Sequence, residues 1–404
     1  MVKIDTYNQY EKAVTQRLVN SERAAAILGV SRQTLYAYVS RGQIRAEVDP
    51  ADPRRQLYDA RELEAIAARK ALGRKPREAA ANALDWGLPV LNSALSHISN
   101  DTLFYRGIDA IEFSRHATLE STARLLWGCG STDPFALPFT HAMLQPPHEL
   151  SLVAKCQFIL ALHASDLPTI WRRDQRNLWP SAASIVRMLE WAGAGCPIAE
   201  LPVHEALARH WDRVEAADLF RRALVLVADH ELNASTFAAR VVASTGGSLA
   251  AAVTGGLAAL SGPRHGGQIP MVEALFEQAR QAGDLRAFID AKLRLGERLP
   301  GFGHPLYLVA DPRANELLHW LPEDRFRMEL SDVVFELSGH RPNIDFALVG
   351  LRHTLGLPQD TALFLFLLGR SVGWIAHALE QHSDGRVIRP RASYVGQRSE
   401  TIPR

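Results

Sequence analysis

At 404 residues, 47% of them hydrophobic, the chain is too large for one ordinary core and suits two or three domains. The formal net charge is only +1, and charged residues interrupt the apolar runs before they could span a bilayer, which excludes a membrane-spanning chain. No signal peptide, low-complexity tract or internal repeat is expected, and the three cysteines (Cys129, Cys156, Cys196) lack zinc-type spacing and cannot all pair, which fits a reducing cytoplasm and no metal.

The first 77 residues differ in charge from the rest, with 15 Lys/Arg against 9 Asp/Glu. The spacing predicts a short amphipathic helix over Ser21 to Leu28 and a tight turn at Gly29-Val30-Ser31. Ser31 would then cap a second helix from Arg32 to Ser40. Gly42-Gln43-Ile44 ends that helix, Pro50 to Leu57 forms a small wing, and Asp59 to Leu63 opens another helix. Lys70 to Arg77, with Gly73 and Pro76, reads as a linker. The arrangement resembles the helix-turn-helix of the MerR and excisionase type. That resemblance implies a second helix in the major groove of DNA, with Arg32, Gln33, Thr34 and Tyr36 as candidate readers. A basic module on an acidic body suits an anionic partner for the module alone. The alternative is a helix-turn-helix kept for protein docking or dimer formation.

Beyond the linker, apolar positions recur with helical spacing, for example through Ala362 to Leu379, and no sustained alternation marks strands. The body is therefore expected to be all-α. Three short turns framed by glycine or proline stand out between its alanine- and leucine-rich stretches. They are Ser261-Gly262-Pro263-Arg264-His265-Gly266-Gly267, Gly301-Phe302-Gly303-His304-Pro305 and Arg341-Pro342-Asn343-Ile344-Asp345-Phe346. Each presents one residue able to move or share a proton, so together they suggest an acid/base site assembled from distant segments. Asp229-His230-Glu231 adds a histidine at a helix boundary. Asp311-Pro312-Arg313, the run Gly369-Arg370-Ser371 to His377, and Arg389-Pro390-Arg391 add guanidinium groups. An arginine in an apolar run is costly without an anionic partner, and arginine forks onto carboxylates, so the composite suits a small di- or tricarboxylate.

Taken in order, from His230-Glu231-Leu232-Asn233-Ala234-Ser235-Thr236 to Ile388-Arg389-Pro390-Arg391-Ala392-Ser393-Tyr394-Val395-Gly396, these segments resemble the citrate synthase family. An earlier piece, Ile98-Ser99 through Leu103-Phe104-Tyr105-Arg106-Gly107-Ile108-Asp109, fits as well, so the likeness covers roughly residues 85 to 397. It implies a large helical domain in two parts (78–224 and 326–404) around a small one (225–325) that closes over the substrates. It also implies condensation of acetyl-CoA with oxaloacetate, acetyl-CoA being a co-substrate and no cofactor being tightly bound. By motif, Asp345 takes a proton from the acetyl methyl group, His265 hydrogen-bonds the thioester oxygen, and His304 polarises the ketone. His230, Arg313 and Arg370 match residues that hold oxaloacetate. Arg389 matches an arginine supplied across the interface of a homodimer.

Departures from the family pattern concentrate where CoA binds. Arg264 precedes the first histidine, and Gln268-Ile269-Pro270 follows the glycines. Leu308 stands where many members carry a cation for a CoA phosphate. Two alternatives to citrate formation follow: 2-methylcitrate formation from propionyl-CoA, and a DNA-binding regulator whose body senses oxaloacetate, citrate or an acyl-CoA. Three intact acid/base groups favour an enzyme, because binding alone requires no base.

Overall fold

Asn20 accepts the Arg23 amide hydrogen and caps α1 (Ser21–Leu28), which stops where Gly29 turns left-handed at φ +60°. The Ser31 hydroxyl then accepts the Thr34 amide at 3.2 Å and opens α2 (Arg32–Ser40). This is a computed structural model, and it describes residues 18–40, 44, 46–49, 52–60, 63, 90–139, 141, 143–164, 174–198, 200–392 and 394–396. The chain divides into two compact units, Met1–Asn92 and Ser93–Arg404.

In the first unit, β1 (Leu18–Asn20), β2 (Glu47–Asp49) and β3 (Asp52–Asp59) form an antiparallel sheet in the order β1-β3-β2. Val19 faces Tyr58 and Glu47 faces Leu57. Ala24, Ala25, Leu28, Leu35, Ile44, Tyr58 and Leu63 make its core. Of the stretch expected as a wing, residues 52–57 lie in β3 while 50 and 51 lie outside the described residues, and β1 was not foreseen. Asp59 ends β3, and Ala60 and Leu63 are helical as expected, while Arg61, Glu62 and the expected linker Lys70 to Arg77 lie outside the described residues.

The second unit is mostly helical, with one exception to the all-α expectation. β4 (Ser96–Ser99), β5 (Thr102–Tyr105) and β6 (Ile108–Asp109) form an antiparallel sheet. Its β4–β5 turn rests on Asn100 and Asp101, both at positive φ (51° and 56°), the geometry that two-residue hairpins favour. The strands are two to four residues long, too short for alternation to show in the sequence. Helices α3 (Ala110–Ser114), α4 (Leu119–Trp127), α5 (Leu152–Leu162), α6 (Trp179–Ala194), α7 (Val203–His210) and α8 (Ala217–Leu226) follow. Then come α9 (Ala234–Ser244), α10 (Leu249–Leu260), α11 (Gln268–Gln281) and α12 (Leu285–Arg294). α13 (Pro312–Trp320), α14 (Arg325–Ser338), α15 (Ile344–Leu355) and α16 (Thr361–Asp384) complete the unit. α14 opens at Arg325 under an Asp324 cap and packs on α12, so the boundary expected between 325 and 326 falls in its first turn.

α16 is the axis of the unit, packed against α4, α8, α9, α10 and α15. It carries Arg370 mid-helix and yet is long and apolar enough, by length and composition, to cross a bilayer. The expectation that charge interrupts every such run therefore does not hold here, but 94% of its most apolar window is buried inside the fold. Two glycines permit that burial. A Cβ on Gly369 would meet the Leu224 carbonyl, and one on Gly373 would meet the Ala228 carbonyl and the Asp229 carboxylate. The close approach seats α16 on the end of α8, and all three cysteines are free and buried elsewhere in this unit.

Candidate active site

The α8–α9 turn carries His230 and is braced by the β4–β5 hairpin. The Ser96 hydroxyl donates to the Asp229 carboxylate and accepts the Glu231 amide at 3.0 Å, while the Ile98 amide donates to the Glu231 side chain at 2.7 Å. Tyr105 donates its hydroxyl to the Val225 carbonyl at 3.0 Å and accepts the Asp229 amide at 3.3 Å. These bonds hold Glu231 at φ +51°, a backbone strain that is tolerated where surrounding contacts over-determine it. Burial opposes ionisation of Asp229, but His377, Arg370 and the Ser96 hydroxyl outweigh it and keep the carboxyl below its ordinary range.

His304 lies on the second turn, and its ring meets that of His230 edge-on at 5.1 Å between centroids. The Leu306 amide donates to His304 Nδ1 at 3.2 Å, which leaves the proton of the neutral ring on Nε2. Burial, with the Arg313 charge, pushes His304 down to about 4. His230 is held well below the usual histidine range by burial and then by Arg313 and His304. Its Nε2 is 2.8 Å from the Tyr307 hydroxyl. Both rings are thus neutral hydrogen-bonding groups at pH 7.

Asp311 ties the cationic side of the site to the base. It receives Arg313 in a fork, Nε to Oδ1 at 2.9 Å and Nη2 to Oδ2 at 2.8 Å, and it also accepts the Ile344 amide at 3.0 Å. Burial opposes its ionisation, and Arg313 reverses that and lowers its pKa. Asn343 caps α15, accepting the Asp345 amide at 3.0 Å. The Asn343 amide donates to the Gly301 carbonyl at 2.8 Å, its side chain donates to the Gly303 carbonyl at 3.1 Å, and the Gly303 amide donates to the Arg341 carbonyl at 2.8 Å. The His304 and Asp345 turns therefore run side by side as paired backbone. Burial pushes the Asp345 carboxyl up to about 6, against the Arg313 charge, and among the described residues no hydrogen bond holds that carboxylate.

His265 approaches from the turn before α11. Its Nε2 lies 2.7 Å from the Ser235 hydroxyl, which donates to Asn233 Oδ1 at 2.8 Å and accepts the Trp374 indole N–H at 3.1 Å. Burial and the Arg370 charge push His265 down to about 4. Arg370 itself is 2% exposed, donates Nε to the Val227 carbonyl at 2.7 Å, and is lowered to about 10 by burial, so it is cationic at pH 7. Its charge reaches His230, His265, His304 and Asp345 alike, which places all four about one centre.

Arg389 is the exception. It is exposed on the irregular segment after α16, and no hydrogen bond or ion pair joins it to the others within one chain. In the first unit Arg32, Gln33 and Tyr36 are exposed on α2, Arg32 pairing with Glu22 at 3.1 Å. Thr34 is engaged instead with Ser31, hydroxyl to hydroxyl at 2.9 Å, in the helix cap. Arg264 is exposed, as is Leu308, whose amide donates to the Asp101 carboxylate at 3.0 Å. The motifs did not reveal Ser235, Tyr307, Asp311 or Asn343 as site residues. Asn343 two before Asp345 and Asp311 before proline were readable as helix caps, whereas Ser235 and Tyr307 carried no local signal.

Residues 82–391 match the family described as citrate synthase, C-terminal domain. The chain belongs to the citrate synthase family. It is 29% identical over 351 residues to citrate synthase 2 of Bacillus subtilis, covering 77% of this chain and 94% of that one. Against the 2-methylcitrate synthase of Shewanella oneidensis it is 37% identical over 183 residues, 43% of this chain and 49% of that one. The solved citrate synthase of Thermoplasma acidophilum, in a ternary complex with carboxymethyl coenzyme A and oxaloacetate, superposes with a TM-score of 0.61 at 25% identity. That superposition covers 78% of this chain and 96% of the other. The citrate synthase fold thus extends over most of the second unit, and the family's reaction joins acetyl-CoA to oxaloacetate with no tightly bound cofactor.

Proposed function

We propose that the second unit forms citrate from acetyl-CoA and oxaloacetate. The supporting observation is one centre holding an unbonded carboxylate raised to about 6, three neutral histidines and two buried arginines. Asp345 removes a proton from the acetyl methyl group, and His265 hydrogen-bonds the thioester oxygen as negative charge develops there. The methyl carbon bonds to the ketone carbon of oxaloacetate, and the ketone oxygen takes up negative charge next to His304 Nε2–H, which supplies its proton. Water then cleaves the thioester of citryl-CoA to give citrate and CoA. Arg313, Arg370 and His230 hold the two carboxylates, orienting the ketone for attack. Residues 225–325 serve as the small domain, whose closure keeps water from the enolate.

The test is CoA release with oxaloacetate and either acetyl-CoA or propionyl-CoA. Faster turnover of acetyl-CoA is expected. A propionyl-CoA preference would make 2-methylcitrate the product, the two acyl groups differing by one methylene worth about 1–3 kcal/mol in a pocket. A folded protein that binds oxaloacetate and turns over neither would favour the regulator. In that reading the first unit is the MerR-type module, its exposed Arg32, Gln33 and Tyr36 facing DNA, and binding to duplex DNA would weaken steeply with salt. The free, buried cysteines fit a reducing cytoplasm in either case.

Arg389 completes the site of a partner subunit in this reading, so the working form is a homodimer. Arg389→Ala and Arg370→Ala are each expected to be nearly inactive alone. Mixed and refolded together they should recover up to about a quarter of parental activity, because a hybrid dimer assembles one intact site while homodimers reassemble none. Absence of any recovery would place Arg389 outside a shared site.

A further inference from the structure

Tyr307 packs against three of the groups assigned above to oxaloacetate. Its ring centroid lies 5.6 Å from that of His230 and 5.0 Å from that of His304, and the Arg313 guanidinium sits 5.5 Å above the ring. The side chain is buried, at 5% exposure, and its loop is fixed on two sides. The Tyr307 amide donates to the His304 carbonyl at 3.2 Å, and the next amide, that of Leu308, is held by Asp101 at the tip of the β4–β5 hairpin. A phenyl ring would fill the same space. What the hydroxyl adds is the 2.8 Å bond to His230 Nε2.

That bond constrains what His230 can do. A neutral imidazole has one N–H to donate, and a hydroxyl has one proton and two lone pairs. Here Nε2 faces the Tyr307 oxygen. A carboxylate that accepts the phenolic proton favours the tautomer with the His230 proton on Nε2, which then donates to the Tyr307 oxygen. Burial pushes the Tyr307 pKa above its ordinary value, so the phenol keeps this proton across the working range of pH. Two hydrogen bonds in series polarise each other, which makes the terminal O–H a better donor to an anion.

We propose that Tyr307 is a further oxaloacetate-binding residue, and that His230 acts on a substrate carboxylate through it, in the series His230 Nε2–H to Tyr307 oxygen, Tyr307 O–H to carboxylate. This rests on the reading of the site as an oxaloacetate site and adds a donor to it. Tyr307 stands on the loop with His304, so the series also links the ketone-polarising turn to the α8–α9 turn through the ligand that both hold. A buried donor aimed at a charged substrate oxygen discriminates strongly against ligands that lack it.

The experiment compares Tyr307→Phe, His230→Gln and the double variant in steady-state kinetics and in calorimetric titration with oxaloacetate. Tyr307→Phe should raise the oxaloacetate KM about 10- to 100-fold, the range for a lost hydrogen bond to a charged group. The acetyl-CoA KM and the melting temperature should stay near parental values. The double variant should be no worse than the poorer single one, because either change breaks the same series. An oxaloacetate KM and affinity within twofold of the parent in Tyr307→Phe would overturn the proposal, and so would multiplicative losses in the double variant or a parallel rise of both KM values. If the parent protein neither binds nor turns over oxaloacetate, the reading of the site fails first. If the parent does both and Tyr307→Phe matches it, only the present inference fails.

Discussion

Replacing Asp345 with alanine lowers the rate of CoA release by about 10²–10⁴-fold, the usual contribution of a positioned general base, while oxaloacetate still binds. The two arginines and two histidines proposed to hold that substrate do not depend on the carboxylate, so calorimetric titration should report an affinity within a few-fold of the parent. Retained turnover would remove Asp345 from the role of base. The same group sets the acid limb of the pH profile. A base must be ionised, and burial has raised this carboxyl from 3.8 to about 6, so kcat/KM should climb through about pH 6 and flatten above it. His265 and His304, pushed down to about 4, do not titrate in that window.

Stability moves the opposite way. Because the folded chain holds the Asp345 proton more tightly than the unfolded one, the stability linked to that proton is full below about 4 and is lost as the pH rises through about 6. At pH 8 the parent therefore carries a buried, unbonded charge that Asp345→Ala lacks. The variant's melting temperature should gain on the parent's between pH 5 and pH 8. A difference in melting temperature that is flat with pH would show the carboxyl to be unperturbed.

Asp311→Ala is expected to destabilise the second unit by about 3–5 kcal/mol, the cost of leaving a buried charge without its partner. Arg313 is 2% exposed and both arms of its fork end on this carboxylate. The Ile344 amide loses its acceptor in the same change. Urea unfolding would measure the loss, and a cost below about 1 kcal/mol would mean that solvent or another acceptor rescues Arg313. The double variant Asp311→Ala/Arg313→Met should recover part of the stability, since it removes the orphaned charge, but it should not recover activity.

Much of this site was legible because its chemistry sits on short motifs. Glycine or proline frames a proton-sharing residue in each of the three turns, and arginine inside an apolar run announces a buried partner. The folded chain brings His230, His265, His304, Arg313, Asp345 and Arg370 about one centre. What escaped the sequence is the layer that acts over long separations. Ser235 meets His265 and Trp374 through contacts 30 and 139 residues apart. The β4–β5 hairpin reaches Glu231 and Leu308 across 133 and 207 residues. A hydrogen bond of that reach leaves no periodicity to read. The hairpin itself was missed for the opposite reason, its strands being shorter than the window in which alternation becomes visible. Thr34 was offered by motif alone, and the engagement of its hydroxyl in the cap that starts its own helix was not read.

The apolarity of α16 has a consequence for how the protein is made. A helix that would satisfy a membrane on length and composition must be kept from one during synthesis, and the order of the chain helps. α4, α8, α9, α10 and α15, the surfaces that α16 packs on, all leave the ribosome before it. When residues 361–384 emerge, the segments that form the apolar groove receiving them have already been synthesised. Slow or defective folding of the preceding helices would leave this segment exposed, open to membrane-targeting factors and chaperones that read hydrophobic stretches. Arg370, near its middle, is a deterrent to insertion, since a central arginine raises the cost of entering a bilayer by about 2.5–3.5 kcal/mol.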